Sequence, residues 1–267
     1  SGDCGTSLVY PVVPWLTACR RVNNVDEFLF PSVGPDGILR RPLTTTYGSF
    51  AAAVASNGAA IAGANIEIDA STNLALSSDL AVNSLAYRGT AVAGAHGDLG
   101  AGRVLTVSSG GLILHGYARI GAAGGQANGS IAFPGRGYVY DDSTRGDGFY
   151  CAVWASLVAP RGLSFTVLDR YPLVLGGDQA GIAQEIAVTH GTLQLGTSNA
   201  VCGLGPVSLR IVGGAAAVAV AQVDTLAGVS LRFDDVAGCS GSLRVPSNTT
   251  ETVSRLFIDG VSMPTAP

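Results

Sequence analysis

The chain has 267 residues, of which 47% are hydrophobic and only 13% charged, and its formal net charge is −4. A globular chain carries roughly 25% charged residues, so much of this surface must be Gly, Ala, Ser and Thr, which defends it weakly against association. All fifteen basic residues are arginine, scattered along the chain; this excludes the basic stripe of a nucleic-acid-binding protein, and no run of about 18 apolar residues supports a membrane-spanning helix.

Residues 1–43 differ from the rest. They hold five of the twelve prolines, Trp15, the acidic-aromatic run Asp26-Glu27-Phe28-Leu29-Phe30 and the turn Gly34-Pro35-Asp36-Gly37. This composition predicts an irregular N-terminal arm or cap, which either covers the end of a sheet stack or reaches onto a neighbour. Cys4 and Cys19 could close a small loop within it in an oxidising compartment. Five cysteines leave one over, and none has the spacing of a zinc site.

Residues 44–267 read as one domain. Ser49 to Ser56 is the best helix candidate, with Ser49 placed to cap it and Asn57-Gly58 to stop it. Ile66, Ile68, Leu74, Leu76, Leu80, Val82 and Leu85 then recur at period two, the signature of half-buried strands. From Arg103 to Val220, short apolar runs (RVLTV, LILHGYARI, SIAF, GYVY, FYCAVWASLV, LSFTVL, PLVL, IAVT, TLQL, VSLRIV, AAVAV) follow one another between glycine-rich turns. LRF, LRV and VSRLFI continue the alternation, with Arg232, Arg244 and Arg255 on the outward phase, and a proline-containing tail closes the chain. A short helix, then alternating strands with glycine at the corners, predicts an all-β chain: a single-stranded, right-handed parallel β-helix with an N-terminal capping helix and arm. Each coil of such a solenoid buries its apolar face only against its neighbours, so terminal coils need caps.

One unit is more specific. Gly191 to Gly196 reads G-T-L-x-L-G, followed by Gly203-Leu204-Gly205, a V-x-L strand, Gly213-Gly214 and another strand. This order resembles the autotransporter-associated β-strand repeat, and the closing VSRLFIDGVSMP resembles the last strand and exit turn of such proteins. The helix-then-strands order is similar to pectin-lyase-like β-helices. The resemblance implies β-helix geometry and a surface or passenger role.

Candidate sites are few. Asp141, Asp142 and Asp147, with Arg145, fall in the polar stretch DDSTRGDG, which predicts a protruding, solvated loop. Glycoside cleavage needs two acids facing one bond, and a calcium loop needs alternating oxygen ligands; the spacing here meets the calcium pattern poorly. Arg145-Gly146-Asp147 is an integrin-type tripeptide, but chance alone supplies roughly 0.1 per chain of this composition. His96, His115 and His190 share no spacing and read as ordinary exposed or edge histidines. Asn128-Gly129-Ser130 and Asn248-Thr249-Thr250 are N-glycosylation sequons. A start at Ser1, without an initiator methionine or a remaining signal peptide, is what a mature secreted chain presents.

These observations lead to an expected function without catalysis or cofactor. The chain would be a self-assembling structural subunit of a surface layer, capsid-like coat, sheath or fibre, secreted to an extracellular or virion surface and forming homo-oligomers. Two alternatives stand beside it. One is a lyase or hydrolase acting on polysaccharide along one sheet face, with Asp141, Asp142, Arg145 and Asp147 as residues to test. The other is an adhesin that binds glycans through its loops.

Overall fold

A computed structural model describes residues 14, 18–22, 25–33, 39–40, 44–47, 63–70, 76, 78–89, 99–121, 129–142, 150–168, 170–199, 201–222, 225–235, 241–247 and 250–264. The candidate helix 49–56, Cys4, Asn128, Arg145, Asp147, Asn248 and His96 lie outside these residues. So does the pairing of Cys19, whose backbone alone is described. Strands are numbered in chain order.

The chain is an all-β solenoid of stacked parallel strands. The longest ladder runs through β5 (Thr44–Tyr47), β6 (Asn65–Ala70), β8 (Ser84–Gly89), β10 (Gly111–Gly116), β13 (Gly137–Asp141), β16 (Leu163–Val167), the first part of β19 (Glu185–Leu195), β21 (Ser208–Val212), β23 (Ser230–Asp234) and β25 (Arg255–Ile258). A second ladder contains β11 (Arg119–Ile120), β14 (Ala152–Val153), β17 (Leu173–Leu175), the second part of β19, β22 (Ala216–Val220) and β24 (Ser242–Arg244). A third is built from β7 (Leu80–Val82), β9 (Val104–Val107), β12 (Ser130–Ala132) and β15 (Ser156–Val158). β18 (Gly177–Gln179) and β20 (Cys202–Leu204) form a further parallel pair, and Ala159 bridges Ile182. β26 (Val261–Ser262) folds back antiparallel on β25.

Alternation in the sequence becomes stacking in space. On the longest ladder Ile66, Leu85, Leu112, Val139, Phe165, Val188, Ile211, Phe233 and Ile258 are successive register partners. From Ile66 to Ile211 every member of this column is buried. Full burial of one such side chain contributes about 1.5–3 kcal/mol, and the column repeats that gain at each coil. Polar links between adjacent coils join residues 18 to 27 positions apart. The fully buried Gln179 is one of them: its Oε1 accepts from Leu157 N–H at 3.0 Å, and its Nε2 donates to the carbonyls of Ala155 (3.1 Å) and Gly176 (2.5 Å). A buried amide is tolerated because both ends are satisfied.

The predicted strands of 103–220 recur with three adjustments at corners. LILHGYARI divides after Gly116, whose φ of +64° is open to glycine. FYCAVWASLV divides at Trp154-Ala155, where the indole lies across Gly176; a Cβ there would sit 2.0 Å from the ring. IAVT and TLQL, by contrast, are one strand, β19, which serves two ladders. The three-residue β18 and β20 escape the sequence pattern because so few residues carry too little periodicity.

The described part of residues 1–43 contains strands. β1 (Ala18–Val22) and β2 (Val25–Leu29) form an antiparallel hairpin, and β3 (Ser32–Val33) pairs antiparallel with β4 (Leu39–Arg40). Phe30 is buried against Ile113 and Tyr140 on the outer side of the long ladder, edge-on to Tyr140 with centroids 5.5 Å apart. The segment at Phe30 thus covers a lateral face of the solenoid.

Burial also sets the alkaline limit of the fold. Cys151 and Cys202 are buried thiols inside the core. Burial, assisted by Asp178, pushes the Cys202 thiol from 9.0 up to about 12. Burial, with Tyr138 beside it, pushes the Tyr140 phenol from 10.0 up to about 12. Between these limits the folded chain holds protons that the unfolded chain has released. The stability from this source is therefore complete below pH 9 and is lost as pH rises toward 12. Denaturant midpoints measured across that window should fall steadily, and Cys202→Ala should flatten the slope. A midpoint constant from pH 9 to 12 would contradict the linkage.

Candidate functional site

A group of chemically active side chains outside the core lies where β10 and β13 lead into β11 and β14. His115 follows Leu114 on β10, and Asp142 follows Asp141 at the end of β13. Because successive strand residues point to opposite faces, Leu114 and Asp141 occupy the inward column while His115 and Asp142 share the outer side with Ile113 and Tyr140. His115 Nδ1 and Asp142 Oδ1 are 2.6 Å apart, and both side chains are almost fully buried. Asp142 thereby orients the imidazole ring, as a carboxylate does for many working histidines.

This placement corrects two expectations. Asp141 and Asp142 do not belong to a solvated loop: Asp141 is a strand residue with no exposure, and Asp142 is 4% exposed. The strand ladder extends to them because Asp142 N–H donates to Leu114 O and Leu168 N–H donates to Asp141 O. A run of polar letters concealed the fact that the register carries them under the next coil. Nor do the two carboxylates face one bond, since one points inward and the other outward. His115, read as an exposed or edge residue, is buried and paired; His190 is exposed as expected.

Two residues beyond His115, on the same outer side, come Tyr117 and then Arg119. The Arg119 guanidinium carbon is 4.2 Å from the centroid of the Tyr117 ring and 4.6 Å from that of Tyr150. Tyr150 arrives from the next coil and packs with Ala152, Trp154 and Val174. Arg119 Nε is closed off from solvent, with no acceptor in reach among the described residues. An unsatisfied buried donor costs about 1–3 kcal/mol, more when charged. Other arginines of the solenoid are engaged: Arg88 with Glu67 (3.1 Å), Arg136 with Glu185 (2.7 Å) and Arg210 with Asp234. Burial raises the Tyr117 phenol above its usual value; Arg119 works against this and Tyr150 with it. The phenol is therefore neutral, and able to donate, at physiological pH.

The sequence carried one overlooked signal here. His115, Tyr117 and Arg119 sit at i, i+2 and i+4 within LILHGYARI, on either side of the Gly116 corner between β10 and β11. Among the described residues, no group of three His, Cys, Asp or Glu side chains could hold a metal ion, and no helix is long and apolar enough to cross a membrane.

The fold places the chain among parallel β-solenoids. No family model, curated protein or solved structure matches it.

Proposed function

We propose that the protein is a structural subunit that associates with copies of itself through the face of its last described coil, building a layer, shell, sheath or fibre on an extracellular or virion surface. The observation that supports this is the contrast along one column. Ile211 is fully buried, whereas its counterpart two coils on, Ile258, is 43% exposed. Val245 and Val261, at 42% and 62%, extend the same apolar end, with Leu243 and Leu256 only partly covered. Stacking buries such a face in every earlier coil, so a second molecule laid against it would gain what each coil gains internally. Among the described residues β24 pairs only with β22, leaving a strand edge available as well.

Sedimentation of the chain over a concentration series tests the reading, with electron microscopy of the concentrated sample. Self-association should appear, and Val261→Asp with Ile258→Asp should weaken it at least tenfold while leaving the melting temperature of the solenoid nearly unchanged. A monomer at all concentrations would overturn it. Catalysis on a polysaccharide has less support, because the opposed Asp141 and Asp142 cannot act as an acid pair. The glycan-binding alternative is favoured by one observation, the unpaired Arg119.

A further inference from the structure

We infer that Arg119, Tyr117 and Tyr150 form a binding site for a carboxylate carried on a ring, as in an acidic sugar residue of a glycan. The inference is independent of self-association, because the site lies on a lateral corner of the solenoid, on β11 and beside β14, away from the last coil. Arg88 and Arg210 each reach a carboxylate on the neighbouring coil, and Arg136 reaches one two coils away, so these three tie coil to coil. Among the described residues Arg119 makes no such pair. Two tyrosine rings lie against its guanidinium within 4.6 Å, which fixes the plane of the group in advance. Its Nε is closed off from solvent, so the two terminal Nη groups are the donors a ligand can reach.

The chemistry that completes this arrangement is specific. A guanidinium presents paired N–H donors that match the two oxygens of a carboxylate. Aromatic flanks favour a ligand with flat apolar surface beside its charge, and the tyrosine hydroxyls add hydrogen bonding at the rim. Ordering costs are low because the side chain is already held in place, so binding energy is not spent on freezing it. A free inorganic anion would use the guanidinium and leave the rings idle.

Titration calorimetry of the full chain with a uronic acid trisaccharide, its methyl ester and inorganic phosphate tests the assignment. The acid should bind saturably, and the ester, differing only in charge at the carboxyl group, at least tenfold more weakly. Arg119→Lys keeps a cation but loses the paired donors, and it should also weaken binding tenfold or more. Tyr150→Leu, which keeps apolar bulk, should weaken it several-fold. The acid–ester comparison within the unaltered protein does not depend on any variant folding. Equal binding of acid and ester, tighter binding of phosphate than of the uronide, full binding by Arg119→Lys, or no saturable binding at millimolar concentration would each overturn the site.

Discussion

Phe165→Ala is expected to lower the unfolding free energy by about 3–5 kcal/mol. Phe165 has no exposure and sits in the middle of the longest column, with Val139 as register partner on one side and Val188 on the other. Truncation removes the transfer energy of the ring and leaves a cavity that the flanking coils, fixed by their own hydrogen-bonded ladders, cannot collapse to fill. The same change at an end has a different consequence. Leu256 occupies an inward position on β25 but is only partly covered, so Leu256→Ala should cost well under half as much and fray one coil. In a quasi-one-dimensional array a central defect also weakens coupling between the halves, and the unfolding transition of Phe165→Ala should broaden. Urea denaturation followed by circular dichroism measures both effects. Equal losses for the two variants would show that the central coils are no better packed than the last.

Gly191→Ala is expected to cost about 2–5 kcal/mol, the sum of a left-handed backbone penalty and overpacking. Gly191 lies within β19 where that strand passes from one ladder to the next, with a φ of +67°. A Cβ there would meet the Val167 carbonyl oxygen at 2.1 Å and the Val167 Cβ at 2.7 Å. Neither atom can move without breaking the neighbouring coil, because Val167 is a β16 strand residue buried in the core. Gly228 provides the control: its φ is +84°, but a Cβ would touch nothing within 4 Å. Gly228→Ala should therefore pay only the backbone part, about 1–2 kcal/mol. Thermal melts of the two variants separate the terms, and a Gly191→Ala protein as stable as Gly228→Ala would mean that the corner can open.

Much of the fold was readable from local pattern. Ile66, Ile68, Leu76, Leu80, Val82 and Leu85 are all buried, as their spacing requires, and most apolar runs between 103 and 220 are strands. A strand needs only its own alternation and its bounding turns, and both are local. The GTLQLG unit falls on β19 and the turn after it, with Gly191 and Gly196 both at positive φ. Leu231 and Arg232 likewise point inward and outward as read. What failed was the reading of DDSTRGDG as uniformly exposed. Polarity averaged over eight residues hides that the first belongs to the inward column, the second to a buried histidine.

By itself, then, the sequence determined an all-β chain of short strands with glycine at its turns, built on a period of two that leaves one apolar face per coil. Only the tertiary structure decided which residues far apart in the chain meet: Asp142 with His115, Tyr150 with Arg119, Phe30 with Tyr140. Contacts between coils depend on the length of every intervening turn and on the phase at which each strand enters its ladder. A one-residue slip of β13 would move Asp141 out and Asp142 in. No pattern within a single run of residues encodes that register, and the whole candidate site depends on it.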